Sequence, residues 1–187
     1  MTWSDAVFMM PEIVLTIAAS LLLLAPVTGF RGAEWSAKWV TLVVLAITGG
    51  SIVACSWAVP DMTASPMLNA MFALDAFAIF FKLLFVVIMA LIVLLSDDFL
   101  AESRYSPWEY YSLLCFALLG MMFMASGVHL IAIWTGLELM SLSSYILAGY
   151  FKNERKSTEA AMKYFVLGAV SSAILLYGLS LDRKSVV

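Results

Sequence analysis

The stretch WTGLELMSLSSYILAGY (Trp134 to Tyr150) has the composition of a segment that lives in lipid, yet it carries a carboxylate, Glu138. An ionisable side chain at bilayer depth costs at least ~2.5–3.5 kcal/mol on insertion scales, so it needs a partner or a task. Glu138 lies near the middle of its apolar run, too deep to reach water at either end. At i−3, i+3 and i+7 the same helix face carries Thr135, Ser141 and Tyr145, a stripe of hydroxyls on which water can be ordered. The chemistry of such a site is proton exchange, because burial moves a carboxyl toward neutrality. The structural alternative is a protonated carboxyl that only hydrogen-bonds a neighbouring helix.

The other buried charges are weighed in the same way. Lys163 lies about 10 Å inside its run when counted from Lys156. It is either a second relay group or a side chain that snorkels outward and pairs with Glu159 at i−4. Measured from Lys152, Glu138 is about 21 Å deep, so a water-mediated connection to Lys163 is expected rather than a direct salt bridge. Lys82 sits two turns from Asp75 on one face, and a structural reach toward Asp75 is expected. Glu12 falls in a first helical turn, where the helix dipole favours an acid. His129 begins its run beside a turn and reads as a polar anchor at the membrane surface. Cys55 and Cys115 have no metal or cluster spacing and read as inert core thiols. No nucleophile and base pair, cofactor loop or nucleic-acid surface accompanies these residues.

These groups need membrane helices to hold them. The chain of 187 residues is 64% hydrophobic and 12% charged, against roughly 45–50% and about 25% for soluble domains. Apolar runs long enough to span, about 20 residues each, occur at Val7 to Thr28, Trp39 to Val59, Ala76 to Ser96, Tyr110 to Ser126, Val128 to Tyr150 and Glu159 to Leu181. The expected fold class is therefore all-α, a polytopic transmembrane helix bundle of about six spans. No basic region precedes the first run, so it reads as a retained helix rather than a cleaved signal. Spans four and five, joined only through Gly127, must be antiparallel neighbours, and GAVSSA (Gly168 to Ala173) allows close helix approach.

Lys and Arg mark the cytoplasmic side of short loops. They occur at Arg31 and Lys38, at Arg104, and at Lys152, Arg155 and Lys156, in alternate loops, which predicts an extracytoplasmic N-terminus. Arg183 and Lys184 in the terminal LDRKSVV break this pattern.

The segments GLELMSLSSYILAG and EAAMKYFVLGA carry a resemblance. From about Asp75 to Leu181 the chain resembles the antiporter-like subunits of proton-pumping respiratory complexes, above all the subunit N branch in bacterial NADH:quinone oxidoreductase, complex I. The first two spans match the family only in pattern. The resemblance implies residues 1–74 as leading helices and an outer loop, 75–181 as the third leading helix and the start of the antiporter-like, proton-conducting domain, and 182–187 as a non-native tail.

It further implies that Glu138 matches the family's key acid in proton translocation and that Lys163, in AMKYF, matches one of its buried basic residues. Lys82, Asp75, Ser141, Tyr145 and His129 are secondary candidates. No cofactor is expected in this chain, since NADH, FMN, iron–sulfur clusters and quinone belong to other subunits. The expected partners are the other membrane subunits of complex I, the lipid bilayer, protons and water, and the expected location is the bacterial inner membrane. The family continues for further spans with central lysines, whereas this chain stops after six, so it is expected to be truncated and unable to pump alone. A cation/proton antiporter or membrane-bound hydrogenase subunit, and a purely structural membrane subunit, are the competing readings.

Overall fold

A computed structural model of the chain describes residues 8–27, 34–58, 66–67, 71–101 and 105–181. Arg31, Arg104 and the 182–187 tail lie outside the described residues. The helices are α1 (Met10–Leu24), α2 (Glu34–Ala58), α3 (Ala76–Leu95), α4 (Asp97–Ala101), α5 (Pro107–Ser126), α6 (Leu130–Ala148) and α7 (Arg155–Leu181). Two short strands, β1 (Pro66–Met67) and β2 (Phe72–Ala73), pair antiparallel between α2 and α3.

Five of these helices, α2, α3, α5, α6 and α7, are long and apolar enough to cross a membrane. The expected first span is the exception. Its described helix, α1, has 15 residues, about 22 Å at 1.5 Å per residue, and residues 25–27 follow it as a turn. The other expected spans coincide with helices to within a few residues, and α7 begins at Arg155 rather than Glu159.

The helix ends follow local chemistry. Pro11 opens α1 and Pro107 opens α5, where a missing N–H costs nothing. Asp75 caps α3, accepting from the Ala78 N–H at 2.7 Å, as an Asp at an N-cap does. His129 caps α6, its Nδ1 accepting from the Ile131 N–H at 3.3 Å.

α5 is the centre of the bundle. It packs against α1, α2, α3 and α6, and Tyr111, Cys115, Leu118 and Met122 on it are nearly inaccessible. The expected tight turn at Gly127 is present and antiparallel α5 and α6 meet very closely. A Cβ on Gly120 would stand 2.5 Å from the Gly136 carbonyl oxygen, so a pair of glycines, one on each helix, sets this approach. The turn is held from outside by the β-hairpin, through the Val128 N–H donating to the Met71 carbonyl at 2.9 Å.

α7 is the outermost helix. It packs on α6 alone among the larger contacts, and none of its residues is fully buried. Its α6-facing line is built of small side chains. Ser157 donates to the Ala148 carbonyl at 2.8 Å, a Cβ on Gly149 would lie 2.8 Å from Ala161, and Gly168 leaves room for the Tyr145 ring end, which any side chain there would strike.

The basic connections that are described gather at one end of the bundle. Lys38 pairs with Asp97 at 2.5 Å and Lys152 with Glu109 at 3.9 Å. Beside them the Tyr150 hydroxyl donates to the Ser106 carbonyl at 2.7 Å, and the Asn153 N–H donates to Tyr105 at 2.9 Å. Aromatic edges from Tyr105, Tyr110 and Phe151 close around Tyr150. Burial, and next the Glu109 carboxylate, push the Tyr150 phenol above its ordinary value.

Candidate functional site

Glu138 stands eight residues from Leu130 and ten from Ala148, which puts about 12 Å and 15 Å of helix on either side of it. Its residue is half-buried, and its Oε1 is buried with no protein hydrogen-bond partner. The same holds for Trp134 Nε1, one turn away on the same face, and for Ser172 Oγ on α7. A buried polar atom without a partner carries a desolvation cost of about 1–3 kcal/mol, and these three lie on α6 and α7.

The hydroxyl stripe expected beside Glu138 divides in two. Thr135 is exposed and donates back to the Ile131 carbonyl at 2.8 Å. It lines an apolar cavity of about 210 Å³ at the far end of the bundle, with Met9, Phe72 and Phe123 among its neighbours. Tyr145 faces the other way, toward α7. The Tyr145 ring meets Tyr164 edge-on at 4.7 Å and Phe165 at 5.8 Å. Ser143 and Ser144 spend their hydroxyls on the Leu139 and Met140 carbonyls, each at 2.9 Å.

Lys163 is not brought to Glu138. Its ammonium donates to Glu159 at 2.6 Å, with 71% and 55% of the two side chains exposed, which is the i−4 pairing that the sequence allowed. Gly149 and Ala161 face each other across the two helices. From that level Glu138 is eleven residues further in and Lys163 only two, an axial offset of about 13 Å.

Lys82 reaches a different acid from the one expected. It is 2% exposed and forms an ion pair with Glu12 on α1 at 2.5 Å, the Glu12 side chain being 4% exposed. Asp75 is engaged in capping α3 and takes no part. The expected reach of Lys82 toward Asp75 is thereby corrected. Two turns on one helix bring Lys82 and Asp75 to the same side, but the cap consumes the aspartate and a neighbouring helix supplies a nearer carboxylate. Glu12 is the charged residue that sequence reasoning undervalued. Its position in a first helical turn is a sufficient local explanation, and no spacing in the sequence connects it to Lys82, seventy residues away. His129 acts as a helix cap rather than as a free group. Among the described residues no cluster of His, Cys, Asp and Glu is arranged to hold a metal.

A family profile described as "NADH:quinone oxidoreductase/Mrp antiporter, TM" matches residues 127–181, the stretch that contains Glu138, Ser141, Tyr145 and Lys163. NADH-quinone oxidoreductase subunit N 2 of Rhizobium meliloti (strain 1021) is 41% identical over 171 residues, covering 91% of this chain and 35% of that protein. Subunit N of Desulfitobacterium hafniense (strain DSM 10664 / DCB-2) is 49% identical over 114 residues, covering 61% of this chain and 23% of the relative. The chain thus spans about a third of the length of the curated relatives it matches. Among solved structures, a chain of respiratory complex I from Thermus thermophilus with bound aureothin superposes with a TM-score of 0.68 at 30% identity, over 90% of this chain and 35% of that one. A chain of the membrane-bound sulfane sulfur reductase, an archaeal respiratory membrane complex, superposes with a TM-score of 0.72 at 20% identity over 95% of this chain and 36% of that one, which speaks to the fold alone.

Proposed function

We propose that this chain belongs to a subunit N of a proton-translocating NADH:quinone oxidoreductase, in which Glu138 takes up and passes on a proton. Similarity to proteins of that name over 91% of the chain supports the assignment to the complex. The observation that carries the role of Glu138 is local. An acid at mid-helix has a buried oxygen with no protein partner, and the hydroxyls of Ser141 and Tyr145 lie along the same face. A carboxyl used only to fix a helix contact would be engaged by that contact, as Glu12 is by Lys82.

In this reading the chain works in a bacterial inner membrane, in contact with lipid and with the other membrane subunits. The loop of Lys152, Arg155 and Lys156 faces the cytoplasm and the N-terminus faces outward. NADH, FMN, iron–sulfur clusters and quinone are held by other subunits, and this chain's part is to move protons through bound water. Lys163 keeps the place of a second relay group on the strength of the resemblance, with Glu159 holding its charge until later helices cover that face.

The test is Glu138→Gln in the complete complex. Proton pumping linked to NADH oxidation is expected to fall sharply, with the complex assembled. Altered assembly with pumping per NADH intact in the complex that forms would make Glu138 structural. The family profile also names Mrp antiporters, so a cation/proton antiporter is the second reading. Proton movement that requires sodium would favour it.

A further inference from the structure

We propose that the cleft between α2 and α3 holds one acyl chain of a phospholipid, and that Lys38 and Asp97 at its mouth select a headgroup bearing both a phosphate and a primary ammonium. None of the lining residues lies on α6 or α7, so occupancy of the cleft does not depend on the role of Glu138.

The shape of the cleft suits a hydrocarbon chain. Its volume is about 480 Å³, and its lining residues, which run from Leu42 to Val53 on α2 and from Leu83 to Ala90 on α3, are all apolar or glycine. Gly49 and Gly50 keep it open. A Cβ on Gly50 would meet nothing within 4 Å, and one on Gly49 would reach only Val86, at 3.6 Å. A helix interior favours alanine over glycine, so two adjacent glycines here give up helix propensity and leave space instead. From Leu42 to Val53 the cleft runs about 16 Å along α2, the depth of one leaflet of a hydrocarbon core about 30 Å thick. A transmembrane helix of another subunit would need a contact face through both leaflets, whereas an acyl chain ends near the midplane, as the cleft does.

The mouth supplies the polar end. Lys38 stands one helical turn before Leu42, and Leu94 one turn after Ala90, so both continue the walls toward the end that gathers the basic connections. There the Lys38 ammonium donates to Asp97 at 2.5 Å and to the Leu94 carbonyl at 3.4 Å. An ammonium has three donors, which leaves one for a phosphate oxygen. The Asp97 side chain is 59% exposed, and a carboxylate that takes one bond from Lys38 has lone pairs left for a second ammonium. Trp39, next to Lys38 and 48% exposed, marks the headgroup level at which tryptophans collect in membrane proteins. An ammonium and a carboxylate side by side at the water end of an apolar cleft complement a zwitterionic headgroup. A choline headgroup offers Asp97 no N–H, and a glycerol headgroup brings the phosphate charge without an ammonium to meet the carboxylate.

The experiment uses the complete complex, reconstituted in phosphatidylcholine vesicles that contain a trace of photoreactive lipid. The probes share one diazirine-bearing acyl chain and differ in headgroup, being phosphatidylethanolamine, phosphatidylcholine or phosphatidylglycerol. After lipid exchange and illumination, adducts are mapped by peptide mass spectrometry. Those between Gly49 and Val53 are divided by those at Leu91 and Leu95, exposed residues of α3 outside the cleft that report unselective contact. This ratio is expected to be higher for the phosphatidylethanolamine probe than for the other two, by roughly threefold or more, since exposed charge pairs are individually weak. Asp97→Asn is expected to bring it down to the phosphatidylcholine value. Gly50→Phe fills the cleft and is expected to remove the cleft adducts while the complex still assembles on a native gel. Equal ratios for the three headgroups in the unmodified complex would overturn the selection by Lys38 and Asp97. Absence of cleft adducts from every probe would mean that a helix of another subunit fills the cleft, and would overturn the lipid as occupant. Both outcomes are read on the unmodified complex and hold whether or not Gly50→Phe assembles.

Discussion

Glu12 of α1 and Lys82 of α3, seventy positions apart in the chain, meet as a fully buried ion pair at 2.5 Å. Only one of the two carboxylate oxygens is used, and Oε2 of Glu12 has no protein partner. The pair joins two helices that otherwise touch mainly through α2 and α5, and it allows two charges to sit in an apolar core because each neutralises the other.

Removing one partner leaves the other charge buried alone, which in comparable sites costs about 3–5 kcal/mol, whereas removing both is often nearly neutral. Glu12→Gln and Lys82→Met are each expected to lower thermal stability in detergent strongly, and the double variant is expected to recover most of the loss. Additive losses in the double variant would show that the two side chains are not coupled.

The glycines that set the α5–α6 distance should respond very differently from an open one. A Cβ on Gly120 meets the Gly136 carbonyl at 2.5 Å and the Met140 nitrogen at 2.6 Å, both backbone atoms that cannot yield, whereas a Cβ on Gly50 meets nothing within 4 Å. Gly120→Ala is expected to force the helices apart and lose about 1–3 kcal/mol. Gly50→Ala is expected to gain up to about 1 kcal/mol from helix propensity. Thermal unfolding of the two variants side by side checks the ordering, and equal effects would contradict the close approach.

Tyr150 predicts an alkaline limb. Its phenol is held above its ordinary value by burial and then by Glu109, so the folded state keeps a proton that the unfolded state releases. That contribution is complete below the ordinary phenol value of about 10 and is lost as pH rises from there toward the raised value. Tyr150→Phe is expected to be less stable at neutral pH by about 1 kcal/mol, the worth of the bond to the Ser106 carbonyl. It is also expected to lose less stability between neutral and strongly alkaline pH. Parallel pH profiles for the two proteins would refute the assignment.

The exposed Lys163–Glu159 pair should matter little to this fold. An i, i+4 pair in solvent is worth roughly 0.3–0.5 kcal/mol, so Glu159→Gln is expected to leave melting almost unchanged. A large loss would mean that the pair is covered by something other than α6.

Much of this protein follows from local chemistry. Apolar runs about 20 residues long dictate helices in lipid, because every backbone polar group must be satisfied within its own segment. Asp75, Pro107 and Gly127 end or begin helices for reasons that reside in one or two residues. The depth of Glu138 is a matter of counting along a helix of known rise, and so is its separation from Lys163. Facing relations could not be counted. That Lys82 would choose Glu12 over Asp75 and that Gly120 and Gly136 would set the close approach of α5 and α6 both depend on which faces of sequence-distant helices come together. Helical periodicity assigns residues to a face, but packing decides what that face meets, since the close fit of side chains between helices is a property of both surfaces at once.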